Sequence, residues 1–165
     1  EFARARGANV LAEVIGFGTN CDARHVTQPT AETMEVAMRL ALDDAQLDPA
    51  DIGYICAHGT ATDLGDVAES HATNAVFGPT GRISAPKSYF GHTLGACGAM
   101  ESWLAIEMMN ADWYAPTRNL ETLDPRCAEL DYIQSSPREY QSGFVMNNNF
   151  AFGGINTSLI FRRWN

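Results

Sequence analysis

The chain holds a single lysine, Lys87, and its basic residues form no run longer than Arg162-Arg163. Against 20 acidic residues and a formal net charge of −9, that shortage excludes a general nucleic-acid surface, which needs clustered cations to displace counterions from phosphates. An acidic partner would have to meet a local arginine patch, for which Arg4, Arg6, Arg24, Arg82, Arg118 and Arg138 are the candidates. Long apolar runs are missing too. Gly, Asp or Arg interrupts each one well before the ~20 residues that cross a bilayer, and nothing at Glu1 has the pattern of a signal peptide. The expectation is a soluble, cytoplasmic protein with no membrane span. Cys21, Cys56, Cys97 and Cys127 lie far apart without CxxC spacing, which argues against a zinc site or disulfide framework and for small, reduced core residues. Internal repeats and low-complexity tracts are absent.

What is present alternates. With 165 residues, 45% of them hydrophobic, the chain can bury the core of one domain. A strand over Asn9 to Gly18 leads through a polar turn to a helix capped by Thr30, in which Met34, Ala37, Met38, Ala41 and Leu42 recur at helical spacing. That helix ends near Gln46. A strand over Ile52 to Ala57, a helix from Asp63 to Phe77 closed by Gly78-Pro79, and a strand over Ile83 to Pro86 follow. A third helix opens on Gly95-Ala96-Cys97-Gly98-Ala99 and runs to about Asn110; so many small residues imply close packing by another backbone or a ligand, and hence burial. The stretch from Ala115 to Pro137, with three prolines and few periodic apolar residues, reads as an ordered surface excursion. Strands at Gly143 to Asn148 and Asn156 to Phe161 bracket Phe150-Ala151-Phe152-Gly153-Gly154. The order β-α-β-α-β-α-β-β fits an α/β layered fold around a mixed sheet.

The chemistry gathers at two strand ends. His58 stands before Gly59-Thr60, and His92 stands between Gly91 and Thr93, five residues after Lys87. A lone histidine, such as His25 or His71, is usually a satisfied structural residue. His58 and His92 each lie where a short apolar run gives way to a Gly-rich turn, the place where α/β folds put ligands. Two imidazoles and an ammonium beside glycines suggest donors aimed at a developing oxyanion or enolate.

Three segments carry a family resemblance: AHGTATDLGD (Ala57 to Asp66), KSYFGHTLGACGAMES (Lys87 to Ser102) and NNFAFGGINTSLIF (Asn148 to Phe161). In order and spacing they resemble the C-terminal signatures of the β-ketoacyl-acyl carrier protein synthases, condensing enzymes of the thiolase superfamily, and the likeness runs over essentially the whole chain. It implies the C-terminal half of a thiolase-like layered fold, with a mixed five-stranded sheet and helices on both faces. The N-terminal half of such an enzyme, which holds the nucleophilic cysteine, is not in this sequence. Cys97 begins a small-residue helix, but the family ordinarily has a small residue there, so Cys97 is not read as that nucleophile.

The resemblance also assigns roles. The family condenses an acyl thioester with a malonyl unit on acyl carrier protein, with loss of carbon dioxide. It needs no separate cofactor, because the substrates ride on the carrier's phosphopantetheine. His58 and His92 would donate from their ε nitrogens to the malonyl thioester oxygen; Lys87 would sit behind His92 and fix its orientation, unless it is only a surface ion pair. Thr60 and Thr62 match threonines that hold the phosphopantetheine arm. Phe150, Phe152 and Gly153 match the gate and the acyl oxyanion hole, although Phe152 also suits plain core packing. Glu101 matches a buried structural carboxylate, and Asp22 and Thr27 belong to a second loop, Asp22-Ala23-Arg24-His25-Val26-Thr27, near the tunnel mouth.

Departures from the common pattern are Asp63 in place of proline, Ala151 in place of a gate glycine, and a shortened Gly-rich stretch after Pro29. With GHTLGACG and NNNFAFGG, they resemble the synthases of aryl polyene pathways. The implied partners are acyl carrier protein, the N-terminal half, and a second subunit that forms a homodimer or a heterodimer with a chain-length-factor-like paralogue. Two other readings are a non-catalytic partner of the chain-length-factor kind, which commonly loses these histidines or the lysine, and a thiolase, whose C-terminal cysteine base is missing at Gly153-Gly154-Ile155. The chain is expected to be a fragment or one piece of a processed enzyme, to leave an apolar face uncovered, and to have no condensing activity alone.

Overall fold

The structure, a computed structural model, describes residues 1–25 and 27–164. A short helix α1 (Phe2–Ala5) precedes strand β1 (Ala12–Cys21), helix α2 (Ala31–Ala45), strand β2 (Tyr54–Cys56), helix α3 (Gly65–Phe77) and strand β3 (Arg82–Ser84). Helices α4 (Lys87–Phe90) and α5 (Cys97–Asn110) follow, then the short strands β4 (Trp113–Tyr114), β5 (Asp131–Tyr132) and β6 (Arg138–Glu139), and the closing pair β7 (Phe144–Phe150) and β8 (Ile155–Arg163).

The main sheet has six strands in the order β1-β8-β7-β2-β3-β5, one more than the five expected, and β4 pairs with β6 separately. The additional strand is β5, parallel to β3 at the sheet edge. It is only two residues long, inside the proline-containing stretch, so no alternation could announce it. Arg138 and Arg82 both reach the Asp131 carboxylate, at 2.7 and 3.8 Å, and tie β5 to its neighbours. β2 runs parallel to β7 and β3, whereas β1 and β7 are antiparallel to β8. The carboxyl ends of β2, β3 and β7 therefore lie along one edge.

Helices cover both faces of the sheet. On one face Met34, Met38, Ala41 and Leu42 of α2 and Ala72 and Val76 of α3 pack on Ile55, Ile83, Met146 and Ile160. On the other, Ala105, Met108 and Met109 of α5 pack with Tyr54, Val145 and Phe161. Consecutive Val145 and Met146 serve opposite faces, as the two-residue period of a strand requires. The apolar stripe predicted for α2 is the buried one, and the helix starts after Thr30 and stops at Gln46 in the left-handed region. The Thr30 hydroxyl pairs with the Thr33 hydroxyl at 2.6 Å rather than capping a backbone N–H.

Glycine decides how closely α2 lies on β1. A Cβ on Gly18 would stand 2.0 Å from the Ala37 carbonyl oxygen, and one on Gly16 would stand 2.4 Å from that of Ala41. Gly18→Val must push the helix off the strand, with an expected loss of about 3 kcal/mol in urea unfolding.

The small-residue helix differs from expectation. Cys97, Glu101, Ala105, Met108 and Met109 of α5 are buried, but Ala99 and Trp103 on the opposite face are exposed, Trp103 at 57%. Leu94 and Phe152 are each 69% exposed. Among the described residues no backbone comes near a Cβ on Gly95 or Gly98, and the apolar side chains of Leu94, Trp103 and Phe152 stand uncovered. Among the described residues no helix is long and apolar enough to cross a membrane, no group of three or more His, Cys, Asp or Glu side chains could hold a metal ion, and all four cysteines are free.

Candidate active site

β2 and β3 are neighbours in the sheet, and each delivers its chemistry just past its carboxyl end. β2 ends at Cys56 and places His58 two residues on; β3 ends at Ser84 and the chain turns directly into α4, whose first residue is Lys87. Gly91, at φ +80, then turns the chain so that His92 comes back over His58. The two rings stand edge to face, with centroids 5.6 Å apart and planes at 87°. Phe150, the last residue of β7, meets the His58 ring edge-on at 6.2 Å. His58 and Lys87 are buried and His92 is exposed, so one side of the pair is walled by protein and the other open.

Each imidazole has its δ nitrogen occupied. The Lys87 ammonium lies 3.2 Å from His58 Nδ1 and donates to the His58 carbonyl oxygen at 2.5 Å. The Leu94 N–H donates to His92 Nδ1 at 3.0 Å, and Cys97 Sγ lies 3.3 Å from the same nitrogen. With donors on both Nδ1 atoms, the proton of each neutral ring belongs on Nε2. Lys87 therefore sits behind His58, not behind His92 as the resemblance implied. It stands on the strand end next to that of His58, and His92, beyond the Gly91 turn, takes its partners from its own loop and from α5. Burial is the main reason that the His58 ring is held down to about 3, aided by Lys87 and then His92, so this ring stays neutral.

That depression has a sign. The neutral form is favoured in the fold, so the contribution to stability is complete above the ordinary histidine value and is lost as the pH falls toward about 3. The difference in unfolding free energy between wild type and His58→Gln should shrink between about pH 7 and about pH 4, as measured by denaturant titrations at each pH.

Behind the histidines lies an ion pair. Lys87 Nζ bonds the Glu101 carboxylate, with both side chains almost wholly buried, and Asn149 Nδ2 approaches the other carboxylate oxygen at 3.5 Å. Glu101 is 0% exposed, in keeping with the structural carboxylate expected there, and Lys87 is not a surface ion pair.

The remaining predicted residues lie in three further segments of the chain. The hydroxyls of Thr60 and Thr62 are 2.9 Å apart, in a turn where the Ala61 N–H donates to Asp66 at 3.1 Å. Phe152 projects into solvent and packs into no core of this chain, and Gly153 follows at φ +84. The left-handed positions of this segment fall on Gly153 and Gly154, not on Ala151, so alanine is carried there without strain. A Cβ on Gly154 would meet the buried Asp22 carboxylate at 1.8 Å, and the Asp22 N–H donates to the Gly154 carbonyl at 3.0 Å. The Asp22 loop and the Phe150–Gly154 segment are therefore in contact. Thr27 is exposed and its N–H donates to His25 Nδ1 at 3.2 Å; among the described residues it makes no hydrogen bond to the histidine pair. Val26 of that loop lies outside the described residues. Asp63, the residue in place of proline, pairs with Arg126 at 2.7 Å on the surface.

One residue was missed. Glu69 of α3 is buried and accepts from the His58 N–H and the Gly59 N–H, both at 2.8 Å. Asp66 and Glu69, three apart at the start of the helix after a His-Gly-Thr turn, were the available signal. Chemically, the arrangement sets two imidazole rings edge to face, each with Nδ1 occupied and Nε2 left to donate, beside a buried cation.

Comparison with known proteins agrees. Residues 11–121 match the family described as beta-ketoacyl synthase, C-terminal domain. Over 169 aligned residues the chain is 38% identical to a 3-oxoacyl-[acyl-carrier-protein] synthase 2 of Staphylococcus aureus, covering 99% of this chain and 41% of that protein. The crystal structure of a beta-ketoacyl synthase from Burkholderia phymatum superposes with a TM-score of 0.98 at 62% identity, over 99% of this chain and 40% of that one. The ketosynthase of a complex with its type II polyketide acyl-carrier protein, bound to a hexaketide, gives 0.92 at 34%, over 99% and 41%. The chain spans about two fifths of the length of the curated relatives it matches. From its motifs, its fold and these likenesses, the chain belongs to the family of β-ketoacyl synthase C-terminal domains.

Proposed function

We propose that this chain supplies the decarboxylation site of a β-ketoacyl-acyl carrier protein synthase, and that the half bearing the nucleophilic cysteine comes from a further polypeptide segment. The observation that carries the reading is the facing pair His58 and His92, each with Nδ1 occupied and Nε2 left to donate. In the reaction the malonyl carboxylate leaves as carbon dioxide, and the electrons of the broken C–C bond move into the thioester carbonyl. Both Nε2–H groups donate to the resulting enolate oxygen. The enolate carbon then attacks the acyl thioester on the cysteine, forming the new C–C bond and releasing the thiolate. The Phe152 N–H, which no described residue accepts, serves the acyl oxyanion. Thr60 and Thr62 hold the phosphopantetheine arm, and Phe152 gates the tunnel together with the Asp22–Thr27 loop.

Acyl carrier protein delivers both substrates, and the open faces of α5, Leu94 and Phe152 receive the other half. The retained histidines and lysine favour a catalytic subunit over a chain-length-factor-like partner, with which this subunit could pair. Carbon dioxide release from malonyl-acyl carrier protein tests the reading. The synthase assembled from this chain and the nucleophile-bearing half should turn over, and the isolated chain should not; condensation by the isolated chain would overturn the proposal.

A further inference from the structure

The peptide that carries His58 is gripped from behind by a carboxylate that the chemistry above does not use. Glu69 is 4% exposed, and its two oxygens accept from two successive backbone amides, His58 N–H and Gly59 N–H, each at 2.8 Å. Three residues earlier on α3, Asp66 accepts from Ala61 N–H in the same turn. These are charge-assisted bonds, which are about twice as strong as neutral ones. A cavity of about 380 Å³ lies against this turn, lined by Ala57, Gly59, Asp66, Glu69 and Ser70 on one side and by the Thr117–Cys127 stretch on the other. It gives solvent protons a route to the carboxylate.

We propose that Glu69 is a positioning residue for His58, whose ionised carboxylate fixes the turn and whose protonation releases it. This rests on the reading of His58 as an enolate donor. A protonated carboxyl presents an O–H where an N–H already points, so one of the two amides loses its acceptor and the turn relaxes. The charged and titratable groups facing Glu69 set when this happens. Burial dominates and pushes the carboxyl up to about 7; the two amides hold it down, Asp66 pushes it up and Lys87 draws it down. Cys56 of β2 and Tyr132 of β5 also lie within its field, and Asp63, Asp124, Arg126 and Cys127 line the same cavity. Solution pH near neutrality thus switches the clamp, through backbone geometry and not through titration of a histidine.

Activity and stability should move in opposite directions. A carboxyl raised in the fold contributes stability that is complete below the ordinary glutamate value and is lost as the pH rises through about 7, the same interval in which the clamp closes.

The experiment uses the synthase assembled from this chain and the nucleophile-bearing half, with malonyl-acyl carrier protein as substrate. In wild type, kcat for carbon dioxide release should rise along a limb centred near about 7, with KM unchanged. Glu69→Gln keeps the size but turns a donor toward one amide at every pH, so kcat should fall by about tenfold and the limb should vanish. A second test needs no variant: the amide proton shifts of His58 and Gly59 in wild type should share one inflection near about 7. Amide shifts that do not move together, or a Glu69→Gln enzyme that keeps both the rate and the limb, would overturn the clamp. His58→Ala leaving carbon dioxide release intact would instead overturn the underlying reading of the site.

Discussion

Replacing His58 by alanine should lower malonyl decarboxylation by the assembled synthase by about a hundredfold or more, because removal of one oxyanion donor costs about 3 kcal/mol of transition-state stabilisation. His92→Ala should cost about as much. The two rings face one another and, in the proposed function, donate to one oxygen, so the losses should not simply multiply in the double variant. The readout is carbon dioxide release under single-turnover conditions, which separates chemistry from carrier release. The variants are safe probes for different reasons. His92 is exposed and its removal leaves the Leu94 N–H to solvent, whereas His58 is buried, and folding of its variant has to be checked by unfolding curves.

The second large effect concerns the ion pair beneath the histidines. Glu101→Leu leaves the Lys87 ammonium, 6% exposed, with only the carbonyl and Nδ1 of His58, and should destabilise the fold by about 3 to 5 kcal/mol. Lys87→Met should cost a similar amount by stranding a carboxylate that burial already pushes up. The double variant should recover much of the loss, since two apolar side chains need no compensation there, so denaturant titrations should give a large favourable coupling. Activity should not recover with stability. Lys87 also helps to keep the His58 ring neutral and holds its carbonyl, so the stable double variant should remain impaired in decarboxylation.

How much of this was legible in the chain depends on the kind of pattern involved. The spacing of Met34, Ala37, Met38, Ala41 and Leu42 located α2 to within a residue at each end, because a helix on a sheet must bury a continuous stripe. His58, Lys87 and His92 could be placed at strand ends because the short apolar runs before them have little choice but to be interior parallel strands. Which histidine Lys87 supports could not be read. Sequence proximity pointed to His92, five residues on, but the neighbouring strand ends in the sheet pair Lys87 with His58 across 29 residues. Glu69 was missed for a related reason: the spacing of Asp66 and Glu69 after the His-Gly-Thr turn marks the carboxylates, but not the backbone amides that Glu69 binds. β5, two residues long at the sheet edge, rests on Arg138 and Arg82 reaching one carboxylate, again a long-range contact without a local pattern. The α5 expectation failed differently. Its small residues read as a close approach, but among the described residues no backbone comes near a Cβ on Gly95 or Gly98.

Nitrogen-15 magnetic resonance of the imidazole rings in the assembled synthase reads directly whether His58 and His92 both present Nε2–H. The chain has only 4 histidines, so His58 and His92 can be assigned by substitution. His58 is expected to carry its proton on Nε2 and to stay uncharged down to about pH 4, far below an ordinary histidine, and the neutral form of His92 to carry its proton on Nε2 as well. A His58 ring that titrates near the ordinary value of 6.5, or either neutral ring protonated on Nδ1, would contradict it.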